Sequence, residues 1–243
     1  MRCPSACELV TAWELGLQQP PVERALTLLS LSCSEPREEL ARLSIGRRDA
    51  RLLELCELLF GPQLDAFSAC PACAASLEYS FTVRELNMHP SLSPVADEVE
   101  AVRGDIRLRL RLPNTEDLSA MSTCPNAALA RRTLAERCVV EAVCGQIAIP
   151  SETLSEEMLD FAAATLSQAD PAADQQIKLG CSACGHSWQI VFDIERFLWV
   201  KVNAFAKRLL TQVHVLAGAY GWTEAEILAL GSGRRQFYLE MVV

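Results

Sequence analysis

Between residues 5 and 60, apolar positions recur at three- and four-residue steps in "ACELVTAWELGLQ", "PPVERALTLLSLS" and "RRDARLLELCELLFG". That spacing places one apolar face on each of three helices. Pro20 and Pro21 open the second helix and Gly61-Pro62 closes the third, as expected of residues that pre-set or break helical geometry. The period falls to two in "GDIRLRLRLP", where Ile106, Leu108, Leu110 and Leu112 alternate with Arg107, Arg109 and Arg111 until Pro113. This is a half-buried strand. Helical spacing returns in "NTEDLSAM", capped by Asn114 or Thr115, in "NAALARRTLAERCVVEAV", and in "SETLSEEMLDFAAATLS", capped by Ser151 or Thr153. "NMHPSLSPV" and "QADPAADQ" read as loops and "QIKLG" as a short strand. From Asp193 a helix runs through Ile194, Phe197, Leu198, Val202, Phe205 and Leu209. At the end, Thr223 and Glu226 form a capping box for one short helix, Gly231 and Gly233 break it, and a second follows.

Two stretches stand apart, "SACPACAASLEYSFTVREL" and "GCSACGHSWQIVFDIERFL". A shift of 111 residues lays Cys70 on Cys181, Cys73 on Cys184, Leu77 on Trp188, Tyr79 on Ile190, Phe81 on Phe192, Val83 on Ile194 and Leu86 on Phe197, with no gap. Each copy is a C-x-x-C turn followed by an alternating strand, so the chain carries one duplicated unit.

Four thiols in two C-x-x-C turns are the donor set of a closed tetrahedral zinc site, with both sulfurs of a turn reaching one ion at about 2.3 Å. The expectation is one structural Zn2+ on Cys70, Cys73, Cys181 and Cys184, with the two turns, 107 residues apart, forming a split zinc ribbon. Three other readings compete. A thioredoxin-like C-P-x-C opens a helix in a βαβ unit, whereas a strand-like run follows Cys73 here. Four core cysteines would act as small hydrophobes, which leaves the matched flanks and Gly185 unexplained. Separate metal sites would draw on His186 or His89.

The chain has 243 residues, is 50% hydrophobic and carries a formal net charge of −9. It can bury a sizeable core, and its charge argues against a broad nucleic-acid footprint. Neither a secretory signal nor an apolar run of membrane-spanning length is present, and reduced thiols point to the cytoplasm. Cys56 and Cys138 fall among helical apolar residues, where a core role is the default, and no role follows for Cys3, Cys7, Cys33, Cys124 or Cys144. Phosphate-loop, dinucleotide, zinc-protease and nucleophile-elbow motifs are all missing. No catalytic residues and no small-molecule substrate are expected.

Two segments are candidates for contact with a partner. Arg107, Arg109 and Arg111 share one strand face and would meet an acidic partner or phosphate, unless they are solvated or paired with nearby carboxylates. In the tail, Trp222, Ile227, Leu228, Phe237 and Tyr238 form an apolar docking set, for this chain or another. A helix-turn-helix reading of the tail has Arg234 and Arg235 in its favour and Glu240 against it.

"IGRRDARLLELCELLFG", the two knuckles, "LRLPNTEDLSA" and the ending "AYGWTEAEILALGSGRRQFYLEMV" together resemble baseplate-associated proteins of contractile-tailed bacteriophages and related contractile injection systems. The resemblance implies a non-enzymatic structural or assembly component. Its partners would be other baseplate or tail proteins, met in the bacterial cytoplasm or in an assembled particle. It also implies that Cys70, Cys73, Cys181 and Cys184 carry the zinc and that residues 220–243 dock.

The expected fold is α+β, a mostly helical chain around a zinc-ribbon-like unit. Residues 1–66 would be helical. Residues 67–192 would hold the split ribbon, with an insertion at about 87–176, and residues 193–243 a helical end with its tail. The alternatives are a zinc-ribbon nucleic-acid-binding adaptor, resting on the arginine strand, and a thiol-disulfide oxidoreductase using Cys70 and Cys73.

Overall fold

The structure, a computed structural model, describes residues 1–87 and 97–242. The loop around His89 lies outside them. In chain order the helices are α1 (Ala6–Leu17), α2 (Pro21–Ser32), α3 (Arg37–Arg42), α4 (Ile45–Phe60), α5 (Val83–Asn87), α6 (Thr115–Met121), α7 (Ala127–Cys138), α8 (Glu156–Ala169), α9 (Ile194–Tyr220), α10 (Glu224–Ala229) and α11 (Ser232–Glu240). The strands are β1 (Gln63–Ala69), β2 (Ser76–Thr82), β3 (Glu98–Arg103), β4 (Ile106–Arg111), β5 (Val139–Cys144), β6 (Ile147–Ala148), β7 (Gln176–Gly180) and β8 (Ser187–Val191). Helices with small antiparallel sheets make this an α+β protein. The chain divides into two compact units, one of residues 1–34 with 194–243 and one of residues 35–193.

In the first unit α9 is the central element, contacting α1, α2, α10 and α11. Leu209, Val213 and Leu216 of α9 are buried with Val10, Ile227 and Leu228, at the three- and four-residue spacing that puts them on one helix face. Gly16 lies against the Trp199 ring, where an added Cβ would sit 2.3 Å from a ring carbon. The close approach of α1 to α9 therefore requires glycine at that position.

The second unit is built on a four-stranded antiparallel sheet of order β3-β4-β5-β6. Leu108 and Leu110 of β4 point to a core shared with Ala101, Ala142, Ala135, Cys138, Leu159 and Ala162, so α7 and α8 cover one sheet face. Cys56 and Cys138 are fully buried. The sequence reading carried the α7 helix through Val143, but the helix ends at Cys138 and residues 139–144 form β5. Val139, Val140 and Val143 are β-branched and fit a pleated strand better than a helix, and β4 offers them a partner with Leu108 opposite Ala142. The α8 cap also differs. Residues 151–153 make a separate 3-10 turn, and the Ser155 side chain accepts the Met158 N–H.

Candidate metal centre

Alternation in "QLDAFSA" and "SLEYSFT" makes β1 and β2 a hairpin, with Ala66 opposite Tyr79 and Ser68 opposite Leu77. β7 and β8 repeat it. Ile177 faces Ile190 and Leu179 faces Trp188, each the same pair moved by 111 positions. The two hairpins are separate two-stranded sheets, not strands of one ribbon sheet.

The knuckles match at the level of the backbone. The Cys70 N–H donates to the Ala75 carbonyl at 2.9 Å, and the Ala74 N–H to the Cys70 carbonyl at 2.9 Å. In the second copy, Cys181 donates to His186 at 2.8 Å and Gly185 to Cys181 at 2.9 Å. The turn needs a left-handed residue after its second cysteine, met by Ala74 at φ 58° and by Gly185 at φ 73°.

The turns bring all four sulfurs within 4.8 Å of one another. Cys70 and Cys184 are 3.7 Å apart, as are Cys73 and Cys181. Each short contact joins the first cysteine of one knuckle to the second of the other, so the pair of hairpins has local two-fold symmetry. Cys70 and Cys181 are buried and Cys73 and Cys184 exposed, again in symmetric pairs. Side chains continue the pattern, with Phe81 edge-on to Phe192 at 5.4 Å and Tyr79 edge-on to Trp188 at 6.3 Å.

Four sulfurs so arranged can bind a metal ion. A tetrahedron with metal–sulfur bonds of about 2.3 Å has edges of about 3.8 Å, the separation of the two short pairs. Burial raises the Cys181 thiol, but the N–H groups of Cys184 and Ala183 and the thiols of Cys184 and Cys73 outweigh it and bring it down to about 7. Cys184 is helped by the His186 N–H yet pushed up to about 12 by Cys73 and Cys181. Neighbouring thiols thus pull the two groups in opposite directions, the mutual penalty that a cation held among them would offset.

His186 is not in the ligand set. Its carbonyl holds the knuckle and its ring stacks on Trp188, centroids 6.0 Å apart. Each C-x-x-C turn opens onto a strand, β2 or β8, unlike the strand-to-helix turn of thioredoxin-type pairs.

The other sequence candidates lie elsewhere. On β4, Arg107 is exposed. Arg109 bonds Glu98 of β3 at 2.9 Å and Glu141 of β5 at 3.4 Å. Arg111 grips Asp117 through Nη1 at 2.6 Å and Nη2 at 2.8 Å. Acids on the flanking strands and on α6 therefore occupy Arg109 and Arg111. In the tail, Ile227 and Leu228 are buried in the chain's own helical core. Trp222 stacks on Tyr220 and meets Tyr238 edge-on at 5.0 Å. Only Phe237 of the five residues remains largely exposed, at 61%. Sequence reasoning missed Asp117, a fully buried carboxylate that also accepts from Arg137 Nε at 2.8 Å. Its one signal was the Asn114 capping position three residues upstream, which puts Asp117 in a capping box.

The folded chain is thus an α+β protein with a symmetric four-thiol cluster between two repeated hairpins. It matches the family described as "T4 bacteriophage base plate protein" across residues 16–199, and it belongs to that family. No curated protein and no solved structure matches the chain. Among the described residues, no helix is long and apolar enough to cross a membrane.

Proposed function

We propose that the protein is a non-enzymatic structural component of a phage-type baseplate, stapled by one zinc ion on Cys70, Cys73, Cys181 and Cys184. Membership of the baseplate family supports the structural role and partners among other baseplate or tail proteins. One observation carries the metal reading: two sulfur pairs, each joining opposite knuckles, at 3.7 Å. Zinc held by four thiolates has no open position and does no chemistry on a substrate. Its contribution is to the fold, because a site assembled only in the folded chain turns binding free energy into folding free energy. Here it ties two turns separated by 107 residues. The working setting is the bacterial cytoplasm, where thiols stay reduced, and then the assembled particle. The nucleic-acid adaptor loses support because Arg109 and Arg111 are paired with carboxylates.

The experiment is metal content and free-thiol titration on protein purified without added metal. One zinc per chain, with four thiols released by chelation, is expected. Cys70→Ser and Cys181→Ser should each abolish zinc and lower Tm by a similar amount, on the order of 10 °C. A metal-free protein in which Cys70 and Cys73 oxidise readily would overturn the staple and restore the redox reading. Zinc kept by one of the two variants would likewise overturn the shared four-cysteine site.

A further inference from the structure

A second site lies in the helical unit, between α9 and α11. A cavity of about 360 Å³ is lined by Phe205, Arg208, Leu209, Gln212, Ser232, Gly233, Arg235 and Gln236. Arg235 is 95% buried, since only 5% of its surface remains exposed. Its Nε donates to Gln212 Oε1 at 3.4 Å and its Nη1 to the Leu230 carbonyl. Both acceptors are neutral, and Nη2 has no acceptor among the described residues. Buried charges are normally paired. Arg235 has no carboxylate within ion-pair distance among the described residues, and burial lowers its pKa with no acid to raise it. Arg208, on the exposed side of the same cavity, has no carboxylate within ion-pair distance among the described residues and rests over the Phe205 ring.

The rest of the lining suits an anion. α11 has nine residues and starts at Gly231 with no side-chain cap. The amides of Ser232 and Gly233 therefore have no intrahelical acceptor, and they sit at the positive end of the helix dipole. The cavity thus gathers two guanidinium groups, two backbone amides without a helical acceptor and the side-chain amides of Gln212 and Gln236, the latter also donating to Glu240 Oε1 at 3.0 Å.

We propose that this cavity binds an acidic segment of a partner protein, with one carboxylate seated between Arg235, Arg208 and the α11 N-terminus. A protein carboxylate is favoured over a phosphate chain on three grounds. The cationic groups form one compact cluster, not a track. Phe205 and Leu209 give the cavity an apolar wall, as an acidic residue flanked by apolar ones requires. The chain carries −9 overall, which disfavours a long polyanion more than a short acidic segment. The unit that holds the cavity is near neutral, with eight Lys and Arg against seven Asp and Glu. The proposal rests on the reading of the chain as an assembly component. Its test needs no assembly partner, so a negative result leaves that reading standing.

The test titrates the full chain with a tetraglutamate peptide, a tetralysine peptide, inorganic phosphate and a 12-nucleotide single-stranded DNA at constant ionic strength. Amide shifts of Ser232 and Gly233 are followed by NMR. Tetraglutamate should move both amides and tetralysine neither. Arg208→Ala changes an exposed side chain and should leave the fold intact while weakening the peptide about tenfold. Arg235→Lys keeps the charge but loses the fork and should weaken it further. No response to tetraglutamate, or an unchanged affinity in Arg208→Ala, would overturn the proposal. So would tight binding of the DNA or of phosphate alone without the peptide.

Discussion

Phe81 and Phe192 meet edge to face, with ring centroids 5.4 Å apart and planes at 90°, and they occupy the same position of the two repeats. In a two-fold arrangement, equivalent residues touch only at the axis. The contact thus sets the axis about which Cys70 meets Cys184 and Cys73 meets Cys181. An edge-to-face pair contributes about 0.5–1.5 kcal/mol beyond the area it buries. Phe81→Ala and Phe192→Ala should therefore be non-additive, with a coupling of about 1 kcal/mol in a double-mutant cycle measured by urea unfolding. Simple additivity would mean that the hairpins do not lean on each other.

The knuckle turns make a prediction of opposite sign at equivalent positions. Ala74 holds φ 58° and Gly185 φ 73°, and nothing lies within 4 Å of a Cβ added at Gly185. The only cost at either position is then the left-handed backbone, about 1 kcal/mol for a residue with a Cβ. Gly185→Ala should destabilise by roughly that amount. Ala74→Gly should gain up to about 0.5 kcal/mol, since the relief of strain is partly offset by the greater freedom of glycine in the unfolded chain. Both variants should keep any bound metal. If Ala74→Gly proves the more harmful of the two, the turn geometry is wrong.

The tail separates core from surface. Ile227 is fully buried against α9 and α1, whereas Phe237 is 61% exposed. Ile227→Ala should cost about 3 kcal/mol by leaving a cavity. Phe237→Ala should fall within about 0.5 kcal/mol of the parent protein. Thermal melts of the two variants check this directly. A large loss in Phe237→Ala would place that ring in the chain's own core.

The repeat was legible because its evidence is positional: cysteines at matched spacing, each followed by period-two alternation, need no tertiary information. The capping box at Thr223 was legible too, since it is a local pattern four residues long, whereas at Asn114 only a cap shared with Thr115 could be read; both boxes are formed. Strand β5 was not. "VVEAV" follows a strong helical pattern, and only the free edge of β4 turns it into a strand. The arginines of β4 show the same limit. Period two places them on one face, but whether they are free depends on Glu98, Glu141 and Asp117, which arrive from other elements. The uncompensated charge of Arg235 was also invisible, because a missing partner is a property of the folded neighbourhood.

Asp117 carries the last prediction. Burial alone would raise its carboxyl, but hydrogen bonds from Arg111, the Asn114 N–H and Arg137 outweigh it and hold the group below the usual carboxylate range. A group whose pKa is depressed by folding contributes stability above its unfolded value, about 3.9, and loses it as pH falls through the folded value. Asp117→Asn keeps the shape and the cap but leaves two guanidinium groups without their shared anion. Breaking a fully buried pair costs about 3–5 kcal/mol. Arg111 and Arg137 retain 31% and 40% of their side-chain exposure, so solvent screening reduces the expected loss to about 2 kcal/mol at pH 7. The difference between the parent protein and the variant should begin to shrink as pH falls below about 3.9, where the unfolded chain takes up the proton, and should vanish only below the depressed folded value. Urea unfolding of both proteins at pH 7, 5, 3.5 and 2.5 measures it. A difference that does not depend on pH would mean that shape, and not charge, holds α6 and α7 to β4.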